Sequence, residues 1–352
     1  MLPLSVPGVI VNHTPAVRRQ FNGCPSLAIL QNGDYIASHS LFGSAATNTD
    51  SFVYRSRDKG QTWQQISTVS GQIWSKLFVH RNSLYLVGTD HCDNYDGRLN
   101  GRIVIRRSVD GGNSWTNAQN AMNGQLTAKD GFHTSAVPVV EHHGRLWKAM
   151  EFAPSPNRND WQAFVISIPS DADLLKRDNW TFTNMLSHPW SKNQWIEGNV
   201  VVSPSGQLFN ILRQDQEPDR LNYLQREKAV ITRISPDGLS LSHSTNCDQI
   251  DFPGANTKFT INYDPVSDCY LSLVNPQDTP NRYRNRLALS ASRDLQRWAI
   301  VHEVLYHPDS ETHAFQYVDW LIEDDDIIFL SRTAYDDGLG GAIRAHDANY
   351  TT

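Results

Sequence analysis

The chain lacks several features that would mark other classes of protein. No apolar run in its 352 residues approaches the length of about 20 that spans a bilayer as a helix. Its formal net charge of −6 offers no surplus of basic groups. That argues against nucleic acid and anionic membrane surfaces as partners. Cysteine is scarce: Cys24, Cys92, Cys247 and Cys269 contain no close pair with metal-ligand spacing. There is no linker-like stretch and no long helical pattern, so one domain over residues 1–352 is the simplest expectation. The opening Met1-Leu2-Pro3-Leu4 has no long apolar core of a signal peptide. A secreted chain with its signal removed would read the same way. The acceptor triplets at Asn12, Asn179 and Asn349 lead us to expect a secreted glycoprotein.

Aromatic residues, by contrast, are plentiful, with ten Trp and twelve Tyr. They suit strands and sugar-binding surfaces alike. Two of the Trp close a recurring turn. Ser56-Arg57-Asp58-Lys59-Gly60-Gln61-Thr62-Trp63 follows one strand-like run. Ser108-Val109-Asp110-Gly111-Gly112-Asn113-Ser114-Trp115 follows another, and a degraded copy reads Ser292-Arg293-Asp294-Leu295-Gln296-Arg297-Trp298. The Asp can accept bonds from N–H groups of its own turn, Gly supplies a positive φ, and Trp buries a large apolar face. This pattern resembles the Asp-box of sialidase-like β-propellers. It speaks to fold rather than to activity.

A repeated unit of strand, tight turn and strand runs along the whole chain. Its copies begin at 25, 75, 134, 199, 258 and 317. Turns such as Gln31-Asn32-Gly33 and His142-His143-Gly144 separate the two strands. Further strand-like runs, such as 163–167 and 229–233, lie between the units. The period predicts an all-β propeller of six four-stranded blades. Residues 9–11 are expected to close the ring against the C-terminal strand, and 174–176 to form a helical turn.

In a propeller the innermost strand of each blade starts on the face where the second strand ends. Those two sets of residues converge at the mouth of the central channel. Here they are Cys24, Trp74, His133, Glu197, Lys258 and Tyr317, with His39, His91, Lys148, Glu151, Arg213, Asn275 and Arg332. A concave mouth with converging charged groups is the expected binding site. The same placement puts Cys24 and Cys92 on one face of neighbouring blades, so a disulfide is expected there, and one between Cys247 and Cys269 is a similar expectation. Trp74 and Trp195 could serve as stacking platforms. Asp93 and Asp96 could hold a structural Ca²⁺; no other cofactor is expected.

Sialidases of this type carry an Arg-Ile-Pro motif on the first inner strand. Here that strand reads Gly23-Cys24-Pro25, without the arginine. Other stretches resemble polysaccharide-degrading propellers over nearly the whole chain. They include 32–39, Phe132-His133-Thr134, Gly144-Arg145-Leu146-Trp147-Lys148, 258–261, 315–320 and 346–350. The group comprises ulvan lyases, rhamnosyl-glucuronate α-L-rhamnosidases and L-rhamnose-α-1,4-D-glucuronate lyases, and the last are the nearest in pattern. Its members are described as seven-bladed. Ulvan lyases have Tyr before the His-Thr pair and Arg after Gly-Arg-x-Trp, where this chain has Phe132 and Lys148.

The resemblance implies β-elimination from a glucuronate substituted at O4, with a rhamnose- and glucuronate-containing glycan as partner. That chemistry needs a base for the C5 proton, a cation for the carboxylate and an acid for O4. His133 is the candidate base, and Arg213 or Lys148 the candidate cation. His91 or Tyr317 is the candidate acid. Trp74, Glu151, Glu197, Asn275 and Arg332 complete the expected substrate contacts, and a monomer is expected. Alternatives are an α-L-rhamnosidase or other hydrolase using Glu151 and Glu197, an ulvan-type lyase, a sialidase, and a non-catalytic glycan-binding propeller.

Overall fold

The computed structural model describes residues 5–92, 100–155, 160–188, 193–216, 227–244, 248–277 and 284–352. Six antiparallel sheets follow one another along the chain as the blades of a propeller. The first is Phe21–Ile29, Tyr35–Phe42, Asp50–Ser56 and Gln64–Ser70, from the axis outwards. The second is Ile73–His80, Ser83–Thr89 and Ile103–Ser108, with an isolated bridge from Val104 to Gln125 at its outer edge. In the third blade the inner strand is split into Phe132–His133 and Val139–His142, both paired to Arg145–Phe152. The fourth pairs Asn193–Val202 with Leu208–Gln216, and the fifth pairs Thr260–Asp264 with Cys269–Val274. The sixth pairs Ala314–Glu323 with Asp326–Ala334. Six blades are present, as the repeats predicted, and not the seven of the resembled families.

The inner strand Phe21–Ile29 and the second strand Arg145–Phe152 are buried along nearly their whole length, on both faces, although they include polar residues such as Asn22, Ser26, Lys148 and Glu151. The outer strand Ala299–Tyr306 is largely exposed and tolerates His302 and Glu303. The core is correspondingly not one cluster but a series of layers between facing blades. Met150, Phe164 and Ile166 of the third blade meet Tyr85, Val87 and Ile105 of the second. Trp147 and Val165 meet Trp195, Val200 and Leu212 of the fourth. Trp195 is therefore a core side chain, 1% exposed, and not a sugar platform.

The ring closes by pairing Asn12 with Thr351 and His13 with Tyr350. The two rings of the second pair stack with centroids 4.4 Å apart. Closure thus lies just beyond the expected segment. Of the expected segment, Val11 does join the closure, donating its N–H to Thr351 O at 2.9 Å and packing with Leu27, Tyr35 and Leu330, while Val9 and Ile10 remain exposed. Among the described residues, helix is confined to 3-10 turns such as Ala16–Arg18 and Arg177–Asn179, the latter one residue beyond the expected turn.

All three Asp turns have the expected bonding. Asp58 accepts from Ser56 Oγ at 2.7 Å, Thr62 N at 2.9 Å and Thr62 Oγ1 at 2.6 Å. Trp63 closes the turn by donating to Gly60 O at 3.1 Å. Asp110 and Trp115 repeat the pattern in the second blade. In the degraded copy Leu295 adopts φ +63° where the others use Gly, and Trp298 still donates to Leu295 O. A fourth, Trp-less turn at Ser235-Pro236-Asp237-Gly238 places Asp237 against Ser235 Oγ and Leu239 N. Its sequence lacks the terminal Trp, so the Trp-bearing pattern does not mark it.

Other sequence expectations need correction. Cys24 is a buried free thiol bonded to Ser135 Oγ at 3.3 Å, so no disulfide joins it to Cys92, although both lie in one apolar cluster. Cys269 is also a free thiol; Cys247, its expected partner, lies outside the described residues. Asn349 is fully buried and its amide donates to Tyr335 O and Asp337 Oδ2, so it carries no glycan in the folded chain. Asp93 and Asp96 lie outside the described residues.

Two stability predictions follow from these contacts. Tyr350→Ala removes the stacked, buried ring at the closure and should cost about 3 kcal/mol in denaturant unfolding. A loss below about 1 kcal/mol would show that closure does not limit stability. The hydroxyls of Thr62 and Ser56 hold the Asp58 carboxyl at about 2, against an ordinary 3.8. The folded carboxyl therefore stays ionised while the unfolded chain takes up protons, so stability present above about pH 4 is lost towards pH 2. Asp58→Asn cannot titrate, and its Tm should fall less steeply than that of the parent over this window. Parallel profiles would exclude Asp58 from the acid sensitivity.

Candidate active site

The inner strands share a distortion at the end nearest the mouth. Register breaks fall between Gly23 and Ser26, Ile73 and Lys76, Ile196 and Asn199, and Gln316 and Asp319. At each break one non-glycine residue takes a left-handed backbone: Cys24 at φ +33°, Trp74 at +52°, Glu197 at +53° and Tyr317 at +56°. Such conformations are costly for bulky side chains and gather at functional sites. A bulge re-aims the residue it contains. Here it lets four blades present one side chain each at corresponding places around the axis. Gly23 is required beside it, because a Cβ there would lie 2.5 Å from the Trp74 ring.

Two of these four side chains enter a band of polar contacts. Glu197 Oε2 accepts from Arg213 Nη1 at 2.7 Å, and the same Nη1 lies 3.4 Å from Tyr317 Oη. Arg213 is one strand out from Glu197 in the fourth blade, and Tyr317 comes from the sixth. On the other side, Glu151 Oε1 accepts from Gly198 N at 3.4 Å, and Glu151 Oε2 meets His133 Nδ1 at 3.0 Å. The band thus runs His133, Glu151, Glu197, Arg213, Tyr317 across three blades. A carboxylate accepts, so Nδ1 of His133 carries the proton in this contact. Trp161 covers the His133 ring, with centroids 4.9 Å apart.

Tyr317 is also surrounded by further guanidinium groups. Arg332 lies 4.7 Å from its ring centroid and 4.4 Å from that of Phe42. Arg284 lies 5.5 Å from the Tyr317 ring and donates to Gln316 Oε1. Arg332 donates to His346 O, and burial together with Arg332 and Arg284 holds His346 neutral, with its pKa pulled down to about 3. Three arginines from three blades therefore face one phenol. Sequence reasoning named Arg213 and Arg332. It missed Arg284, which lies just ahead of the strand Arg286–Ser292 rather than at a strand end facing the mouth.

The remaining candidates are placed differently. Trp74 is 7% exposed and packs with Phe42, Cys24 and Tyr317, forming the apolar wall beneath the arginines. Asn275 spends its amide on Arg286 O and Phe315 O, tying the fifth blade to the sixth. His91 pairs with Asp90 at 2.8 Å, and Asp90 also takes Arg102. Lys148 is buried and donates to Thr134 Oγ1 at 3.0 Å and Ser135 O at 3.2 Å, within its own blade. Burial pulls its pKa down to about 7. His39, also buried, is pulled down to about 4 and bonds Tyr54 Oη.

No protein-family model and no curated protein matches this chain. Solved structures do match in fold. An alpha-L-arabinanase of Penicillium chrysogenum, complexed with arabinobiose, aligns at TM-score 0.58 and 15% identity over 99% of this chain and 97% of its own. An alpha-L-arabinofuranosidase of Fusarium graminearum aligns at TM-score 0.63 and 11% identity, over 99% and 98%. A Hadza microbial sialidase aligns at TM-score 0.64 and 15% identity, over 99% of this chain and 69% of its own. At these identities the likeness establishes the architecture, a sialidase-like β-propeller.

Proposed function

We propose that this propeller is a carbohydrate-active enzyme for an acidic sugar, releasing terminal L-rhamnose from O4 of D-glucuronate by β-elimination. The observation that carries the acidic sugar is the convergence of Arg213, Arg284 and Arg332 on Tyr317. Guanidinium groups match carboxylates in charge and geometry. A saccharide as substrate class is supported by structural neighbours complexed with arabinobiose and with sialic acid. The rhamnose–glucuronate linkage rests on the sequence resemblance.

The residues divide the work as follows. The arginines hold the glucuronate carboxylate and stabilise the charge that builds on it. His133 Nε2 takes the C5 proton, with Glu151 as a positioning residue on Nδ1. The C–H electron pair forms the C4–C5 double bond as the C4–O4 bond breaks. Tyr317 gives its proton to the departing oxygen, which leaves with rhamnose. Secretion and independence of a metal cofactor belong to the same proposal.

Hydrolysis is the second reading. The contact of Glu151 with Gly198, the residue after Glu197, favours it, because it brings two carboxylates together at the mouth. Incubation with a rhamnose-capped glucuronate glycan separates the two. Elimination yields free rhamnose and an unsaturated uronate absorbing in the ultraviolet. A saturated glucuronate with rhamnose labelled from ¹⁸O-water would replace the lyase by a hydrolase.

His133→Ala should slow turnover roughly 10²–10⁴-fold, as expected for loss of a positioned base. Turnover unchanged by that substitution would remove His133 from the chemistry. Reduction of the glucuronate carboxyl to an alcohol should abolish cleavage. Equal cleavage of the reduced glycan would remove the arginine cluster from substrate recognition.

A further inference from the structure

The arginine end of the mouth is rich in donors and poor in acceptors. A guanidinium group only donates. Glu197 already takes Arg213, and the Gln316 side-chain oxygen takes Arg284. One side chain at this end differs in character. His346 is 45% exposed, and its ring meets the Phe42 ring edge-on with centroids 5.5 Å apart. Arg332 lies over the same Phe42 ring at 4.4 Å and over the Tyr317 ring at 4.7 Å. His346 and Arg332 therefore share one aromatic wall.

The segment that carries His346 is fixed from several sides. Arg332 donates to His346 O, Gln316 Nε2 to Ala345 O at 2.6 Å, and Ala345 N to Glu311 O at 2.6 Å. The ring itself is held by Asp347, whose Oδ1 lies 2.9 Å from Nδ1. Burial opposes ionisation of Asp347, but the bonds from His346 and from Arg344 Nε outweigh it and keep the carboxylate charged. Burial, Arg332 and Arg284 hold the imidazole neutral. A neutral imidazole has one N–H and a carboxylate only accepts, so that proton is on Nδ1. Nε2 is then an acceptor in the field of two guanidinium groups.

We propose that His346 Nε2 accepts a hydrogen bond from a ring hydroxyl of the bound sugar acid, so that the mouth selects a hydroxylated carboxylate over a plain one. This rests on the acidic-sugar reading of the arginine cluster. A ligand with an anionic group and no hydroxyl would satisfy the arginines and leave Nε2 without a donor. A sugar acid offers both groups on one ring, and its hydroxyl donates where its carboxylate cannot. A site built around a substrate hydroxyl rejects the analogue that lacks it, because the site's own polar group is left unpaired.

The test titrates the intact chain at pH 7 with two ring carboxylates, D-glucuronate and cyclohexanecarboxylate, followed by ligand-observed NMR. The parent should bind glucuronate more tightly. His346→Leu should lower that preference about tenfold by weakening glucuronate alone. His346→Gln, which keeps an acceptor, should restore most of it. Should the Leu variant fail to fold, the His346 ¹⁵N resonances of the parent decide: Nε2 should shift on addition of glucuronate and not of cyclohexanecarboxylate. An unchanged preference in His346→Leu, a Gln variant no better than Leu, or equal Nε2 shifts with both ligands would overturn the inference and leave the arginine cluster as a carboxylate site. Binding of neither carboxylate would overturn the acidic-sugar reading, and this inference with it.

Discussion

One buried carboxylate holds the centre of the ring together. Asp319 of the sixth blade accepts Ser26 Oγ and Leu27 N from the first and Lys76 Nζ from the second, all on Oδ2. Ser26 Oγ in turn accepts Leu77 N at 2.9 Å. Inner strands of neighbouring blades do not share a backbone ladder, so side chains must bridge them. The same device recurs around the axis. Asn199 joins blades four and five through Phe259 O and Ile261 N, and Trp320 Nε1 reaches Thr260 O. Removing one partner of such a buried ion pair typically costs about 3–5 kcal/mol, because the other is left uncompensated.

That rigid axis lets the mouth carry strain. Trp74, Glu197 and Tyr317 all hold positive φ angles, which are unfavourable for their side chains. The bulges persist because strand pairing resumes on either side of them, and apolar packing around Trp74 and Phe42 fixes the rings. In return the mouth gains side chains with set directions. Arg213 can lie between Glu197 and Tyr317 only because both bulge residues turn towards it. Function and scaffold are thus divided by height along the channel. Strained polar residues occupy one end, the Asp319 network the middle, and the hairpin turns the other end.

The Asp turns stand at the periphery. Each Asp binds its own backbone, while the Trp packs at the seam with the preceding blade: Trp115 donates to Ser67 Oγ of the first blade, and Trp63 lies with Leu321, Ile328 and Leu330 of the sixth. A copy without Gly, at Leu295, retains the geometry because two N–H bonds to Asp294 and one from Trp298 hold the turn in shape. These contacts are why the motifs carry information about fold and none about substrate.

The sequence by itself determined what depends on short-range pattern. Six strand–turn–strand units, the three Trp-bearing Asp turns and the closure near Asn12 were legible because alternation, Gly placement and Trp spacing act within about ten residues. It also brought His133, Glu151, Glu197, Arg213, Tyr317 and Arg332 to one mouth, since strand ends follow from the repeat. Tertiary structure alone decided which of these touch. Lys148 and Asn275 sit at positions equivalent to Glu151 and Arg213 in pattern, yet face the channel interior and a neighbouring blade. Arg284 enters from ahead of a third strand, where no repeat rule points. The Cys24 thiol meets Ser135 rather than Cys92, because the bulge at Cys24 turns its side chain across the channel. Bulges, blade tilt and the direction of long side chains are set by packing between blades, and no local pattern encodes them.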